Sequence, residues 1–306
     1  MPDRERWRDN WLFFAELPRA GRALTAAWWA LVVSRGVLPA LFAVATGALV
    51  AALQRGAGLP VALAAAGGLF IAMQVAAPLQ GAVGASLGER LMARLNDRLL
   101  AAAAGPAGLG HLEDPGLADD LAAARDYELE LSGPPMSLAL ELVAGGLTGF
   151  CAGLAQTVIL AAYSWWACAL VAAGWLSTRL LLRTTTLWDR ETGAVLAAQR
   201  RGDYSYRLAT DPPAAKEVRL FGLADWVVER FAAARRQLVD ARWDAARMPR
   251  HRVAVACVLV VAANVVVLLS IARGAAAGAL SLGAAVTFVQ AAVGSSGLAF
   301  GGGGWT

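Results

Sequence analysis

Residues 253–272 read VAVACVLVVAANVVVLLSIA, twenty positions without a charge, bounded by Arg250, His251 and Arg252 on one side and by Arg273 on the other. At 1.5 Å per residue a helix of that length covers about 30 Å, the hydrocarbon thickness of a bilayer. A buried helix in a water-soluble core has no need for so clean an exclusion of charge. Lipid imposes it, because an unpaired charge there costs several kcal/mol.

Working outward, five more stretches share this character: 23–53, 59–87, 136–162, 165–182 and 280–300. Of the 23 acidic residues in the chain, only Glu141 falls inside any of the six, and it lies near the start of the third. Only 16% of the 306 residues are charged and 58% are hydrophobic, whereas a soluble domain is about one-quarter charged. The pattern predicts an all-α membrane protein with six transmembrane helices and long cytoplasmic helical extensions.

The 27 basic residues are distributed unevenly. Segment 1–22 holds five, the polar stretch 89–135 holds four and 179–252 holds fifteen. The connections after the first, third and fifth apolar stretches hold only Arg55 and Arg273, and Arg35 lies within the first stretch. Arginine accumulates in cytoplasmic loops. This predicts a multi-pass protein of the cell inner (plasma) membrane, with its N-terminus and the loops 89–135 and 179–252 in the cytoplasm. Its basic charge then reflects topology, and no nucleic-acid partner is expected. No cleavable signal peptide precedes the first stretch. Cys151, Cys168 and Cys257 stand singly in apolar surroundings without metal-ligand spacing and read as packing residues.

The polar segments carry helical signals. In 3–17, Trp7, Trp11 and Phe14 follow i, i+4, i+7 spacing beside Arg4, Arg6 and Arg8, as in a helix lying in the membrane interface, with Pro18 expected to end it. Leu91, Leu95 and Leu99 recur every fourth residue beside Arg90, Arg94 and Arg98, so the second apolar helix should continue straight into the cytoplasm. A further helix is expected from Asp114-Pro115 to about Tyr127. The second loop repeats the plan. A helix runs from about Thr178 to Arg207, and Asp211-Pro212-Pro213 caps a short helix over 214–221. Gly222 stops it, and an amphipathic helix with Trp226, Val227, Arg230, Phe231 and Leu238 follows. Each loop goes out, turns through a short capped helix and returns.

Two strings stand at those turns: His111-Leu112-Glu113-Asp114-Pro115 in the first loop, and Asp211 through Gly222, DPPAAKEVRLFG, in the second. The latter resembles the K-E-x-R-L-F-G segment at the second coupling helix of bacterial ATP-binding cassette exporters. With six spans, an elbow helix over 1–22 and two long intracellular loops, nearly the whole chain (23–306 beyond the elbow) resembles the transmembrane domain of that family. The resemblance implies a half-transporter that pairs with a second transmembrane half, as homodimer or heterodimer, and works with a nucleotide-binding domain. It also implies export of a hydrophobic or amphipathic substrate by alternating access. Contact with the nucleotide-binding domain would fall to Asp114, Pro115 and Leu117 in the first loop, and to Lys216, Glu217, Arg219, Leu220, Phe221 and Gly222 in the second. Leu220 and Phe221 would be the apolar anchors.

The chain departs from the family in carrying no G-x-x-x-x-G-K-[ST] phosphate loop; Lys216 is its only lysine. ATP and Mg would belong to the missing or partner nucleotide-binding domain, and no catalytic, cofactor or metal residue is assigned here. Gly301–Gly304, Trp305 and Thr306 end the sequence without a charged cap. This leads to the expectation of a truncated chain, a disrupted gene or a subunit with a separate ATPase.

Candidate cavity residues are Arg35, Gln74, Gln156, Asn264 and Gln290; Gln80 and Thr287 are further polar positions within or near apolar stretches, and for all but Arg35 interhelical hydrogen bonding is an equal alternative to lining a cavity. For Arg35, snorkelling to the inner interface is the preferred reading over a substrate contact, because residues 36–53 suffice to cross. Gly145, Gly149 and Gly153, at four-residue spacing, suit close helix packing. An ion-coupled secondary transporter or channel is the weaker alternative, since proton coupling normally needs an intramembrane Asp, Glu or His and only Glu141 offers itself. A membrane scaffold or non-functional remnant is the third reading.

Overall fold

In a computed structural model of the chain, the described residues are 2–105, 135–186, 193–246 and 250–300, with isolated positions at 108, 110, 121 and 124. Regular structure among them is entirely helical. The helices are α1 (Pro2–Ala20), α2 (Arg22–Arg55), α3 (Leu59–Ala104), α4 (Met136–Tyr163), α5 (Trp165–Thr186) and α6 (Gly193–Thr210). After them come α7 (Pro212–Leu220), α8 (Ala224–Ala246), α9 (Arg250–Ala276), α10 (Leu282–Gly294) and the short α11 (Gly297–Phe300).

Five spans among the described residues are long and apolar enough to cross a membrane: Arg22–Arg55, Leu59–Ala104, Met136–Tyr163, His251–Ala276 and Leu282–Ala299. The chain is a multi-pass membrane protein on this evidence. The fourth expected stretch, 165–182, forms α5, a helix of 22 residues, but is not one of the five. Trp165, Trp166, Ser177, Thr178 and Arg179 dilute its apolar character. The second stretch extends as expected. Helix α3 runs unbroken for 46 residues, about 69 Å at 1.5 Å per residue, and so far exceeds the bilayer core. The helix expected from Asp114 to Tyr127 lies outside the described residues.

The chain divides into two compact units, Met1–Trp175 with Ala263–Trp305, and Leu176–Ala262. In the first unit two apolar clusters form. One joins Leu17 of α1, Trp28 and Val32 of α2, Leu87 and Leu91 of α3, and Leu140 and Val143 of α4. The other joins Leu160 of α4, Val171 of α5, Val267 and Ile271 of α9, and Ala291 and Ala292 of α10. In lipid such contacts gain little from the hydrophobic effect, because the tails are as apolar as leucine. Close packing must hold them, and small residues make it close. A Cβ placed on Gly47 of α2 would lie 2.6 Å from the Gly283 carbonyl oxygen of α10. One placed on Gly153 of α4 would lie 2.7 Å from the Gly297 carbonyl carbon of α11. At Gly145 a Cβ would meet nothing within 4 Å. The expected glycine row is therefore a contact at Gly149 and Gly153, both against Gly297, and open at Gly145.

Two local expectations need correction. Helix α1 continues through Pro18 to Ala20 and breaks at Gly21, which is extended at φ 175°, ψ 105°. Pro18 forfeits its own bond to the preceding turn. The joint is held nonetheless by the Leu17 carbonyl, which accepts from the Gly21 N–H at 3.3 Å and from the Thr25 hydroxyl at 2.8 Å. The face α1 presents to the bundle is Phe13, Phe14, Leu17 and Ala20, while Trp11 is 71% exposed. Cys257 lies on an exposed face of α9 and is not a packing residue.

Candidate functional site

The second unit is built around α6 and α8. Val227, Ala234 and Leu238 are buried on α8, and Phe231 and Ala241 are partly buried beside them. Those five positions follow a four-three-four-three spacing, which keeps one seam of a helix turned toward its partner. On α6, Gly202 and Ser205 are both buried and both small. Ser205 can be buried because its hydroxyl donates to the Arg201 carbonyl at 2.8 Å. Tyr206 and Phe231 close the seam with ring centroids 6.1 Å apart.

Between these two helices stands α7, nine residues long. It begins at Pro212, two residues earlier than the sequence suggested. Asp211 occupies the cap position with extended backbone (φ −78°, ψ 135°), but its side chain makes no cap bond. Pro212 and Pro213 have no N–H to be capped, so little is lost. The far end is closed firmly. Gly222 adopts φ 62°, its N–H reaches the Arg219 carbonyl at 3.4 Å, and the Leu223 N–H reaches the Val218 carbonyl at 2.9 Å. These two bonds form a Schellman turn, which needs a left-handed residue where glycine stands.

The result is an exposed apolar tip on a rigid support. Leu220 is 73% and Phe221 68% exposed. Lys216, Glu217 and Arg219 are exposed around them. The tip also includes Leu223 and Trp226, both exposed, and the Arg230 guanidinium 5.2 Å from the Trp226 ring centre. The sequence pattern places Trp226 and Arg230 on an amphipathic helix but does not join them to the tip. The turn at Gly222 brings them there. Asp114, Pro115 and Leu117, the expected counterparts in the first loop, lie outside the described residues.

The candidate cavity residues occupy separate positions. Arg35 is half-buried and its guanidinium donates to Gln80 Oε1 on α3. Gln80 is 3% exposed and its amide donates on to Thr148 of α4 at 3.4 Å. Arg35 thus joins Gln80 and Thr148 in a three-helix knot. Its depth still matches the inner boundary, since it stands twenty residues, about 30 Å of helix, from Arg55. Gln290 of α10 accepts the Thr46 hydroxyl of α2 at 2.8 Å. Gln156 is 4% exposed with an unpartnered Oε1, Asn264 is half-buried and Gln74 is exposed. Thr46 and Thr148 are the partners sequence reading missed; nothing in their spacing announces either pair.

At the start of the first unit, Glu16 of α1 gathers arginines. Its carboxylate lies 2.6 Å from Arg19, 2.9 Å from Arg98 and 3.6 Å from Arg94. Burial raises its pKa, but the hydrogen bond and charge of Arg19, then those of Arg98, outweigh this and hold the carboxyl below its ordinary value. No metal-ligating cluster of three or more His, Cys, Asp or Glu occurs among the described residues. Compared with protein-family models the chain matches none, and no curated protein matches it either.

Proposed function

We propose that the chain is the membrane-spanning part of an ATP-driven exporter of the ATP-binding cassette type, a half-transporter moving a hydrophobic or amphipathic substrate out of the cytoplasm by alternating access. The observation that supports this best is the pair Leu220 and Phe221, held exposed at the end of a nine-residue helix between α6 and α8. Two large apolar side chains on a fixed turn, ringed by Lys216, Glu217 and Arg219, have the composition of a docking point with a polar rim. A short rigid helix seated in another domain transmits that domain's movement as a rigid body. On this reading the partner is a nucleotide-binding domain, which holds ATP and Mg. A second transmembrane half completes the pathway. On this reading the N-terminus and the α6–α8 unit are cytoplasmic and the membrane is the inner (plasma) membrane, which the arginine asymmetry supports.

The test is ATP-driven accumulation of an amphipathic fluorescent dye in inverted membrane vesicles containing this chain and a co-expressed cassette ATPase. Accumulation should require both chains and should be lost in Phe221→Asp at unchanged membrane level. Dye movement driven by a pH gradient alone, without ATP, would favour an ion-coupled carrier and defeat this reading.

A further inference from the structure

We propose that the junction of α1 with α3 binds the phosphate headgroup of an anionic phospholipid through Arg19, Arg94 and Arg98. Among the described residues these three guanidiniums converge on one carboxylate, that of Glu16, at 2.6, 3.6 and 2.9 Å. Each guanidinium carries five N–H donors. Glu16 engages only a few of them. The Arg19, Arg94 and Arg98 side chains are 60%, 43% and 62% exposed, which leaves them open to a ligand from solvent or lipid. Two positive charges remain after Glu16 is counted, and Arg90 adds a third. Its Nη1 lies 3.8 Å from where a Cβ on Gly21 would stand. Arg90, Arg94 and Arg98 share one face of α3 at four-residue spacing; Glu89 and Asp97 are exposed one residue earlier, about 100° around the helix.

Exposed aromatic residues beside the cluster, Trp29 at 39% and Trp11 on α1, independently support a place at a membrane interface. Phe13, Phe14, Trp28 and Trp29 form a chain of ring contacts at 5.5, 5.9 and 5.0 Å across the α1–α2 joint. Trp11 is 71% and Leu12 54% exposed on the same helix. Aromatic rings collect at headgroup level, and an interfacial helix keeps apolar residues in the acyl boundary. Arginine forks match phosphate oxygens in geometry as well as charge. Glu16 acts as the organiser: it holds the guanidiniums together without consuming their donors.

The experiment is native mass spectrometry of the full chain in detergent, titrated with phosphatidylglycerol or phosphatidylcholine. Phosphatidylglycerol should be retained and phosphatidylcholine should not. Each arginine near an anionic surface contributes about a fivefold gain in affinity, so Arg94→Gln/Arg98→Gln should weaken retention about 25-fold. Arg94→Lys/Arg98→Lys keeps both charges but loses the planar forks, so it should retain phosphatidylglycerol less well than the unaltered chain and better than the glutamine variant, which separates loss of charge from loss of fold. Arg235→Gln/Arg236→Gln on α8 should change nothing. Raising salt from about 0.1 M to about 1 M shortens the Debye length from about 10 Å to about 3 Å and should release the lipid from the unaltered chain. Equal retention of both lipids, or undiminished phosphatidylglycerol binding in the glutamine variant, would overturn the proposal. Displacement of the lipid by millimolar inorganic phosphate would overturn it too, by showing a site for the free ion.

Discussion

Arg35 of α2 donates to the buried Oε1 of Gln80 on α3, forty-five positions away in sequence, and fastens a charge to the inside of the bundle. The pair is asymmetric. Without Arg35, Gln80 keeps its contact to Thr148. Without Gln80, a half-buried guanidinium is left without this acceptor. Arg35→Leu should therefore cost little, about 0.6 and at most about 1.7 kcal/mol, the range of interhelical hydrogen bonds in membranes. Gln80→Leu should cost more than Arg35→Leu but less than the about 2.5–3.5 kcal/mol of a charge at a helix centre, because Arg35 stands near the boundary. The double variant should recover most of that loss. Reversible unfolding in mixed micelles checks all three; equal losses from both single variants would show that the two residues act independently.

The glycine contacts make a sharper contrast. Gly47→Ala and Gly153→Ala push a methyl against backbone atoms of α10 and α11 at 2.6 and 2.7 Å. Overpacking of this kind costs about 1–3 kcal/mol. Gly145→Ala meets open space and should gain up to about 1 kcal/mol from helix propensity. Melting temperatures in detergent should move in opposite directions.

At the tip of the α6–α8 unit, exposure and burial separate docking from stability. Phe221→Ala and Leu220→Ala should change stability by less than about 0.5 kcal/mol, as surface substitutions do. Leu238→Ala removes a side chain that is 3% exposed and should cost about 2–5 kcal/mol. Gly222→Ala must hold a side chain at φ 62° and should cost about 1–2 kcal/mol. Limited proteolysis at 193–246 reads these differences directly. Strong destabilisation from Phe221→Ala would show that Phe221 packs in place.

Glu16 gives a pH dependence with a definite sign. Its folded carboxyl sits below the ordinary 4.5, so the unfolded or undocked state binds the proton first. The contribution of the Glu16 contacts is present above pH 4.5 and is lost as pH falls through the lowered value. Hydrogen exchange of the α1 amides should be flat from neutral pH to about that point, after correction for intrinsic rates, and rise below it. In Glu16→Gln the step should vanish. A step that persists in that variant would assign it to another group.

Much of this was legible in the sequence because its cause is local. A run such as 253–272 carries its own evidence in length and missing charge; α2, α4 and α9 begin and end within a few residues of where those runs predict, and α3 begins where its run does. Leu91, Leu95 and Leu99 announced the extension of α3 for the same reason. The tip at Leu220 and Phe221 was legible because prolines and a glycine punctuate it. The knot at Arg35 was not, because a side chain's direction depends on neighbours from α3 and α4 whose identity no local pattern encodes. The same holds for the glycine row: spacing marked Gly145, Gly149 and Gly153 alike, but only the helix that arrives opposite decides which of them is touched.

The sequence alone determined that this chain is helical and rich in membrane-length segments, since the bilayer charges its cost residue by residue. Only the tertiary structure decided that Arg35 meets Gln80, that Glu16 collects Arg94 and Arg98 from about eighty residues away, and that α1 passes through Pro18 before turning. Those outcomes depend on which surfaces meet, and contact between distant segments is a property of the folded chain.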